Sequence, residues 1–385
     1  MRTTVDAKER ISQKKGYVLV KSYYGLGGDL CVLLGAMRLA EATSRDLVVD
    51  WNGGLYGRCE SGNLFNEFFA RPLVGKPSDR LTEPTSVFPI EWSDRTTLPP
   101  RTFLDGVDLK SSRPEDVPEN CNADCVVITR DPKHINPPEL YGLARSLRLQ
   151  PTLRHQVEMN EQKLESMKYS VGVHYRHGNG EINVVCPDIR WYLTHIVRRI
   201  RAIGLETSDV ILYVSTDSAA ALAYFKRHFQ NIAEFPKIYR PNGEGAFHVG
   251  NHGLSAAKRK QLGEEALIDM YSLSLCDYFI GSSGYFSLFS HILRGGRNSI
   301  RNRDERTYRA GMSAPVDLAD SDPVFGPVLR RHDFSTDGLF VNQDIEGRHL
   351  HYYYDRLFTA RSGAVSLATA DSLTMRKAII ARRLY

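Results

Sequence analysis

The stretch "GYVLVKSYYGLGGDLCVLLGAMRLAEATSRDLVVDW", residues 16–51, decides the fold class. Val18 to Val20 lie in a short apolar run bounded by turn signals, with Gly25, Gly27 and Gly28 close behind. From Leu30 to Ala42 apolar residues recur at helical spacing, and Asp29 is placed as N-cap or first-turn anion. "DLVVDW" (46–51) then reads as a buried strand. Strand, glycine turn, helix and strand make one βαβ unit, and such a unit opens a parallel sheet.

Residues 71–140 are rich in Pro, Asp, Ser and Thr, a loop-heavy stretch with one strand expected at "CVVIT" (125–129). Helical patterns on both sides of Pro151 suit a connector between domains. A second βα series follows: "YSVGVHYRH" (strand), "DIRWYLTHIVRRIRAIG" (amphipathic helix), "DVILYVSTDS" (strand), "AAALAYFKRHF" and "EEALIDMYSLSLC" (helices), "DYFIGSS" (strand with its turn) and "YFSLFSHILRG" (helix). The expectation is α/β: an N-terminal Rossmann-like domain over 1–150 and a second over 151–300, facing each other across a cleft. Residues 301–385 form an extension without a clear pattern, apart from a helical end, "ADSLTMRKAIIARRLY".

The chain has 385 residues, 42% hydrophobic and 25% charged, as in globular proteins. It has no apolar run of membrane-spanning length. The charged N-terminus lacks the apolar core of a secretory signal, so a cytoplasmic location is expected. The formal charge of +5 is mild, without the dense basic stripe of a nucleic-acid binder. It suits an anionic small substrate. Six cysteines are scattered, and only Cys121 and Cys125 in "CNADC" lie close; without a second pair they are read as free thiols rather than zinc ligands. The D-x-D-like "DSD" (320–322) and the His248/His252 pair are weak ligand patterns, so no metal site is expected.

Ligands of open α/β sheets bind at the carboxyl ends of strands. Three polar strand ends fall there in the second half: "HYRHGNGE" (174–181), "STDS" (215–218) and "GSSGYFS" (281–287). Arg176 offers a planar fork to two phosphate oxygens, and the glycines after it allow close approach. The Ser282–Ser283 turn opens a helix whose unpaired N–H groups favour anions. Together they describe a diphosphate site without a metal. Each also has a plainer reading: an Arg176–Glu181 surface pair, and helix caps at Asp217 or Ser218 and at the serine turn. "YGLGGD" fails the dinucleotide-binding glycine spacing, which leaves a tight turn or a cleft-lining one.

At these residues the chain resembles the α1,6-fucosyltransferase family that includes the rhizobial nodulation fucosyltransferases and the core fucosyltransferases of N-glycans. The family's basic H-x-R-H/R motif appears as "HYRH", and "GLGGDL", "STDSAAAL" and "ALIDMYSLSLC" are similar as well. The resemblance runs over roughly 17–293. It implies a GT-B fold and metal-independent, inverting transfer of fucose from GDP-β-L-fucose to a glycan hydroxyl, O6 of GlcNAc being one candidate. It implies that Arg176 holds the β-phosphate, that His174 meets guanine through its backbone, and that Asp269 accepts from the guanine N1–H and amino group. It places Asp217 and Ser218 near the nucleoside, and Ser282, Ser283 and Tyr285 near the diphosphate. His177 either orients the diphosphate or packs at the domain seam, and Asn179 is counted with the donor-binding residues. Gly27, Gly28 and Asp29 match the turn that closes over the donor. Glu181 is the expected base for the acceptor proton, with Asp188 or no strong base as alternatives. Other readings are a non-catalytic nucleotide-sugar or glycan binder on the same fold and, through R-H-G at 176–178, a histidine phosphatase. The acceptor, the oligomeric state and any peripheral membrane association stay open.

Overall fold

A computed structural model describes residues 16–22, 24–52, 56, 63–70, 84–98, 112–176, 189–239, 254–282 and 284–301. The chain divides into two compact units. The first holds residues up to Tyr24 and Gly28–Ile135; the second holds Gly25–Gly27 and everything from Asn136 onward.

In the first unit β1 (Tyr17–Lys21), α1 (Leu26–Thr43, counted here from Gly28) and β2 (Asp46–Asp50) form the βαβ unit read from the sequence. A short helix α2 (Leu64–Phe68), β3 (Val87–Phe88) and β4 (Cys125–Ile128) follow. The strands are ordered β2-β1-β4-β3, and every pairing is parallel. Tyr17, Leu19, Val48, Cys125 and Val127 pack with Val87 and Trp92 in one apolar cluster. α1 begins at Leu26, so Gly27 and Gly28 lie in its first turn rather than in a turn ahead of it. Asp29 explains the early start. Its carboxylate accepts from the Ser22 hydroxyl (2.5 Å) and the Tyr24 N–H (2.8 Å), tying the strand exit to the helix.

In the second unit α3 (Pro137–Ser146) and α4 (Pro151–Glu165) lead to β5 (Tyr169–Tyr175) and α5 (Ile189–Ala202). Then come β6 (Val210–Thr216), α6 (Ala219–His228), β7 (Ile232–Ala233), α7 (Ala256–Leu275), β8 (Tyr278–Gly281), α8 (Tyr285–Leu293) and β9 (Ser299–Arg301). The order is β7-β6-β5-β8-β9, again all parallel. The direction of winding therefore reverses between β5 and β8, where a ligand crevice of such a sheet opens.

The α/β expectation holds, with a parallel sheet in each unit. The units divide ahead of the Pro151 connector, because α3 packs on α8 and α4 on α7, which draws both connector helices into the second unit. The expected C-terminal extension beyond Arg301 lies outside the described residues.

The two faces of the second sheet differ in chemistry. Val171, Val173 and Tyr175 of β5 and Val210, Leu212 and Val214 of β6 pack with Trp191, Ile196 and Phe225 of α5 and α6. Alternation sends Ser170, Gly172, His174, Tyr213 and Ser215 to the opposite face. A Cβ on Gly172 would stand 3.1 Å from Leu273 Cδ2 and from Cys276 Sγ, so glycine lets α7 approach the strand.

Candidate functional site

β5 ends at Tyr175, and Arg176 follows at once at the strand's carboxyl end, beside the winding reversal. Across the reversal, β8 ends at Gly281 and Ser282 leads to Gly284, the N-cap of α8. Gly284 is extended (φ −76°, ψ 172°) and gives the helix no side-chain cap. A Cβ built on it would stand only 3.2 Å from Arg176 Nη1. The guanidinium therefore lies beside the N-terminus of α8. A helix N-terminus carries about half a positive charge, so guanidinium and helix end both favour an anion at this place.

His174 holds this arrangement together. Its ring is buried and stacks on Phe286 (centroids 4.2 Å apart, 22° between planes). Nδ1 lies 2.6 Å from Ser287 Oγ and 3.0 Å from Ser282 Oγ. The Ser282 N–H donates to Ser287 Oγ (2.8 Å), closing the cluster. A side chain on β5 thus fixes the β8–α8 turn beside Arg176. Gly281 makes room, since a Cβ there would come within 2.8 Å of Ser287 Oγ.

One strand over, Ser215 is the register partner of His174. Its hydroxyl donates to Asp269 Oδ2 (2.8 Å), and the Tyr213 hydroxyl donates to Asp269 Oδ1 (2.9 Å). Lys237 Nζ forms an ion pair with the same Oδ2 at 2.9 Å, with side chains 6% and 9% exposed. Lys237 Nζ also lies over the rings of Phe235 (5.7 Å) and Tyr239 (5.6 Å). Burial and the Asp269 charge push the Tyr213 hydroxyl well above the usual phenol range, so it stays a donor. Asn160 of α4 extends the network, donating to Ser272 Oγ (2.9 Å) and towards Tyr213 Oη (3.4 Å). One turn before Asp269 on the same face of α7, the buried Glu265 accepts from the Ile238 N–H (3.0 Å) and from Gln261 (2.9 Å). Burial raises its carboxyl above the usual range.

The structure thus brings His174, Arg176 and Ser282 into one cluster. It sets Asp269 of α7 against Ser215, the register partner of His174 one strand away. Asp217 follows β6 directly, and Ser218 caps α6 by accepting from the Ala221 N–H (3.1 Å). Tyr285 opens α8 and is 38% exposed. Gly27 counts with the second unit, where a Cβ on it would stand 2.6 Å from the Phe286 nitrogen. A Cβ on Gly28 would meet Tyr24 Cβ at 2.6 Å. Asp29 is buried in its bonds to Ser22 and Tyr24. His177, Asn179, Glu181, Asp188 and Ser283 lie outside the described residues. So do the His248/His252 pair and "DSD".

Within "GSSGYFS" the sequence singles out the serines of the turn and Tyr285 but not Gly284, Phe286 or Ser287, and Lys237 lies outside every motif. Only Lys237 left a signal, the alternation Phe235–Lys237–Tyr239 that sets a cation between two aromatic rings. Among the described residues no group of three or more His, Cys, Asp or Glu side chains is arranged to hold a metal ion. Cys121 and Cys125 are unbridged, and no described helix is long and apolar enough to cross a membrane.

Comparison with known proteins finds the same resemblance again. The model of the family described as Nodulation protein Z (NodZ) matches residues 103–294. Nodulation protein Z of Sinorhizobium fredii is 27% identical over 289 residues, covering 69% of this chain and 86% of the relative. The Bradyrhizobium diazoefficiens protein of that name is 26% identical over 294 residues, covering 70% and 76%. Among solved structures, NodZ α-1,6-fucosyltransferase soaked with GDP-fucose superposes with a TM-score of 0.54 at 22% identity, covering 72% of this chain and 92% of that one. Fucosyltransferase NodZ from Bradyrhizobium gives 0.52 at 22% identity, covering 72% and 93%. At that identity the superpositions speak for the fold.

Proposed function

We propose, from its likeness to the Nodulation protein Z family, that this chain is a GDP-fucose-dependent fucosyltransferase of GT-B architecture. The second unit takes the donor and the first the glycan acceptor. The observation that carries the reading is the Arg176 guanidinium beside the N-terminus of α8, at the reversal between β5 and β8.

The chemistry follows from charge. As the bond from the fucose anomeric carbon to the β-phosphate oxygen breaks, the sugar becomes oxocarbenium-like and the diphosphate gains negative charge. Arg176 and the first N–H groups of α8 meet that charge with donors already in place, the work a divalent ion does elsewhere. The acceptor hydroxyl attacks from the opposite face, which inverts the anomeric centre. Its proton passes to a base, for which Glu181 is the candidate. At the other end of the donor, guanine offers N1–H and an amino group along one edge, and Asp269 is the carboxylate set against Ser215, one strand away from His174.

The test is calorimetric titration of the chain with GDP, GDP-fucose, UDP and ADP, followed by turnover of GDP-fucose with and without oligosaccharide acceptors. GDP compounds are expected to bind selectively. Arg176→Ala is expected to lower transfer by about 10²–10³-fold. Binding without turnover would make the chain a nucleotide-sugar binder, phosphohistidine at His177 would make it a phosphatase, and indifference to all four nucleotides would refute the donor site.

A further inference from the structure

An ionised carboxylate has about four lone-pair sites, two on each oxygen. Asp269 has three of them taken: Oδ1 by Tyr213, and Oδ2 by both Ser215 and Lys237. The two neighbouring donors of guanine need one site on each oxygen, and Oδ2 has none to give. One of the present partners must therefore leave. Tyr213 and Ser215 are buried side chains on a central strand, both inside the sheet's own packing. Lys237 is different. It sits on a non-helical segment after β7, on a long unbranched side chain, and it holds Asp269 through a single nitrogen.

A second acceptor lies within its reach. Glu265 is one helical turn from Asp269 on the same face of α7, and its Oε2 already accepts the N–H of Ile238, the residue next to Lys237. Each Glu265 oxygen has one bond, from Ile238 or from Gln261, and so has room for another. The other charge on this segment, Glu234, is paired with Lys226. The Tyr239 ring lies beside Lys237 and is kept a neutral phenol by burial and the nearby carboxylates.

We propose that Lys237 is a specificity-determining residue: it stands in for the guanine edge on Asp269 and moves to Glu265 when the base binds. The inference rests on the donor-site reading given above. It makes base recognition an exchange of partners, in which Asp269 is never left buried without a donor. A base offering one donor can use the free site on Oδ1 and leaves Lys237 where it is. A base offering two must move it.

Titrations of the full chain with GDP and with inosine diphosphate, which lacks the 2-amino group, read the exchange directly. Lys237→Met removes the competitor and is expected to tighten GDP at least about fivefold, the low end of a typical coupling between ligands. It is expected to leave inosine diphosphate unchanged. Glu265→Gln removes the charged landing site and is expected to weaken GDP. The double variant is expected to match Lys237→Met, since no lysine remains to rehouse. Lys237→Gln keeps one hydrogen bond to Asp269 but yields more readily, so it is expected to tighten GDP as well and serves if the methionine variant does not fold. Unchanged or weaker GDP binding in the Lys237 variants, or losses that add in the double variant, would overturn the inference. Absence of GDP binding by the unmutated chain would instead refute the donor-site reading, and the inference with it.

Discussion

Replacing Gly284 by alanine separates the site from the scaffold. The backbone there is extended at φ −76°, which any residue adopts, so no strain follows. Two terms in stability oppose each other. Alanine is a poorer N-cap than glycine by up to about 1 kcal/mol, while the loss of glycine's freedom in the unfolded chain returns about 0.4–1 kcal/mol. The net change lies within about 1 kcal/mol, equal to roughly 2–4 °C in Tm for a domain of this size. The function has no such offset. The new Cβ would stand 3.2 Å from Arg176 Nη1, so the free end of the arginine moves by a few tenths of an ångström. A misplacement of 1 Å costs about 10²-fold in rate, so a shift of this size should lower GDP-fucose turnover by several-fold to about tenfold. Gly284→Val carries more bulk to the same place and should lose more. The assay pairs GDP-fucose turnover and GDP titration with a melting curve for each variant. Full activity in Gly284→Val, or activity that falls only in step with Tm, would refute the placement of Arg176 against the helix end.

Three further outcomes are expected. Ser287→Ala removes the acceptor of the buried Ser282 N–H and a partner of His174. It should destabilise the chain by about 1–3 kcal/mol in urea unfolding and weaken GDP as well. Asp269→Asn turns an amide towards Lys237 inside a buried pair, and breaking such pairs costs about 3–5 kcal/mol; a loss below 1 kcal/mol would show that Lys237 already has another partner. His195 is held down to about 4 by burial and by the nearby Arg198 charge. The unfolded chain binds that proton near pH 6.5, so stability is full above 6.5 and falls as pH drops towards 4. After allowing for its partial exposure the loss is roughly 1–2 kcal/mol. His195→Phe keeps the ring beside Trp191 and should flatten unfolding free energy across that window.

The elements legible in the sequence were those whose local pattern agrees with their packing. The run at Val18–Val20 and the strand from Tyr169 to Tyr175 carry apolar side chains where the sheet needs them, and Ser218 caps its helix as its position suggests. Gly27 and Gly28 misled because glycine usually marks a turn. Here they begin a helix, and each sits where a Cβ would collide with a neighbour. Helices α3 and α4 read as a connector because nothing local announces that Leu140 and Leu153 pack into the second unit. For the site, His174, Arg176 and Ser282 were found as strand-end polar residues. Phe286 and Ser287 were missed because they lie inside an apolar helical pattern, and the stack on His174 exists only once β5 and β8 are neighbours.

The register of β5 against β6 pairs His174 with Ser215 and Tyr175 with Thr216. A slip of one residue would exchange the two faces of β5, driving His174 into the apolar layer under α5 and turning Tyr175 towards α7. An insertion or deletion inside either strand would therefore disrupt this site unless a bulge absorbed it. Changes of chain length are better tolerated after Arg176 and after Thr216, where the chain leaves the two strands. Variation in chain length is thus channelled into loops, while the lengths of two strands stay fixed by the side chains they must present.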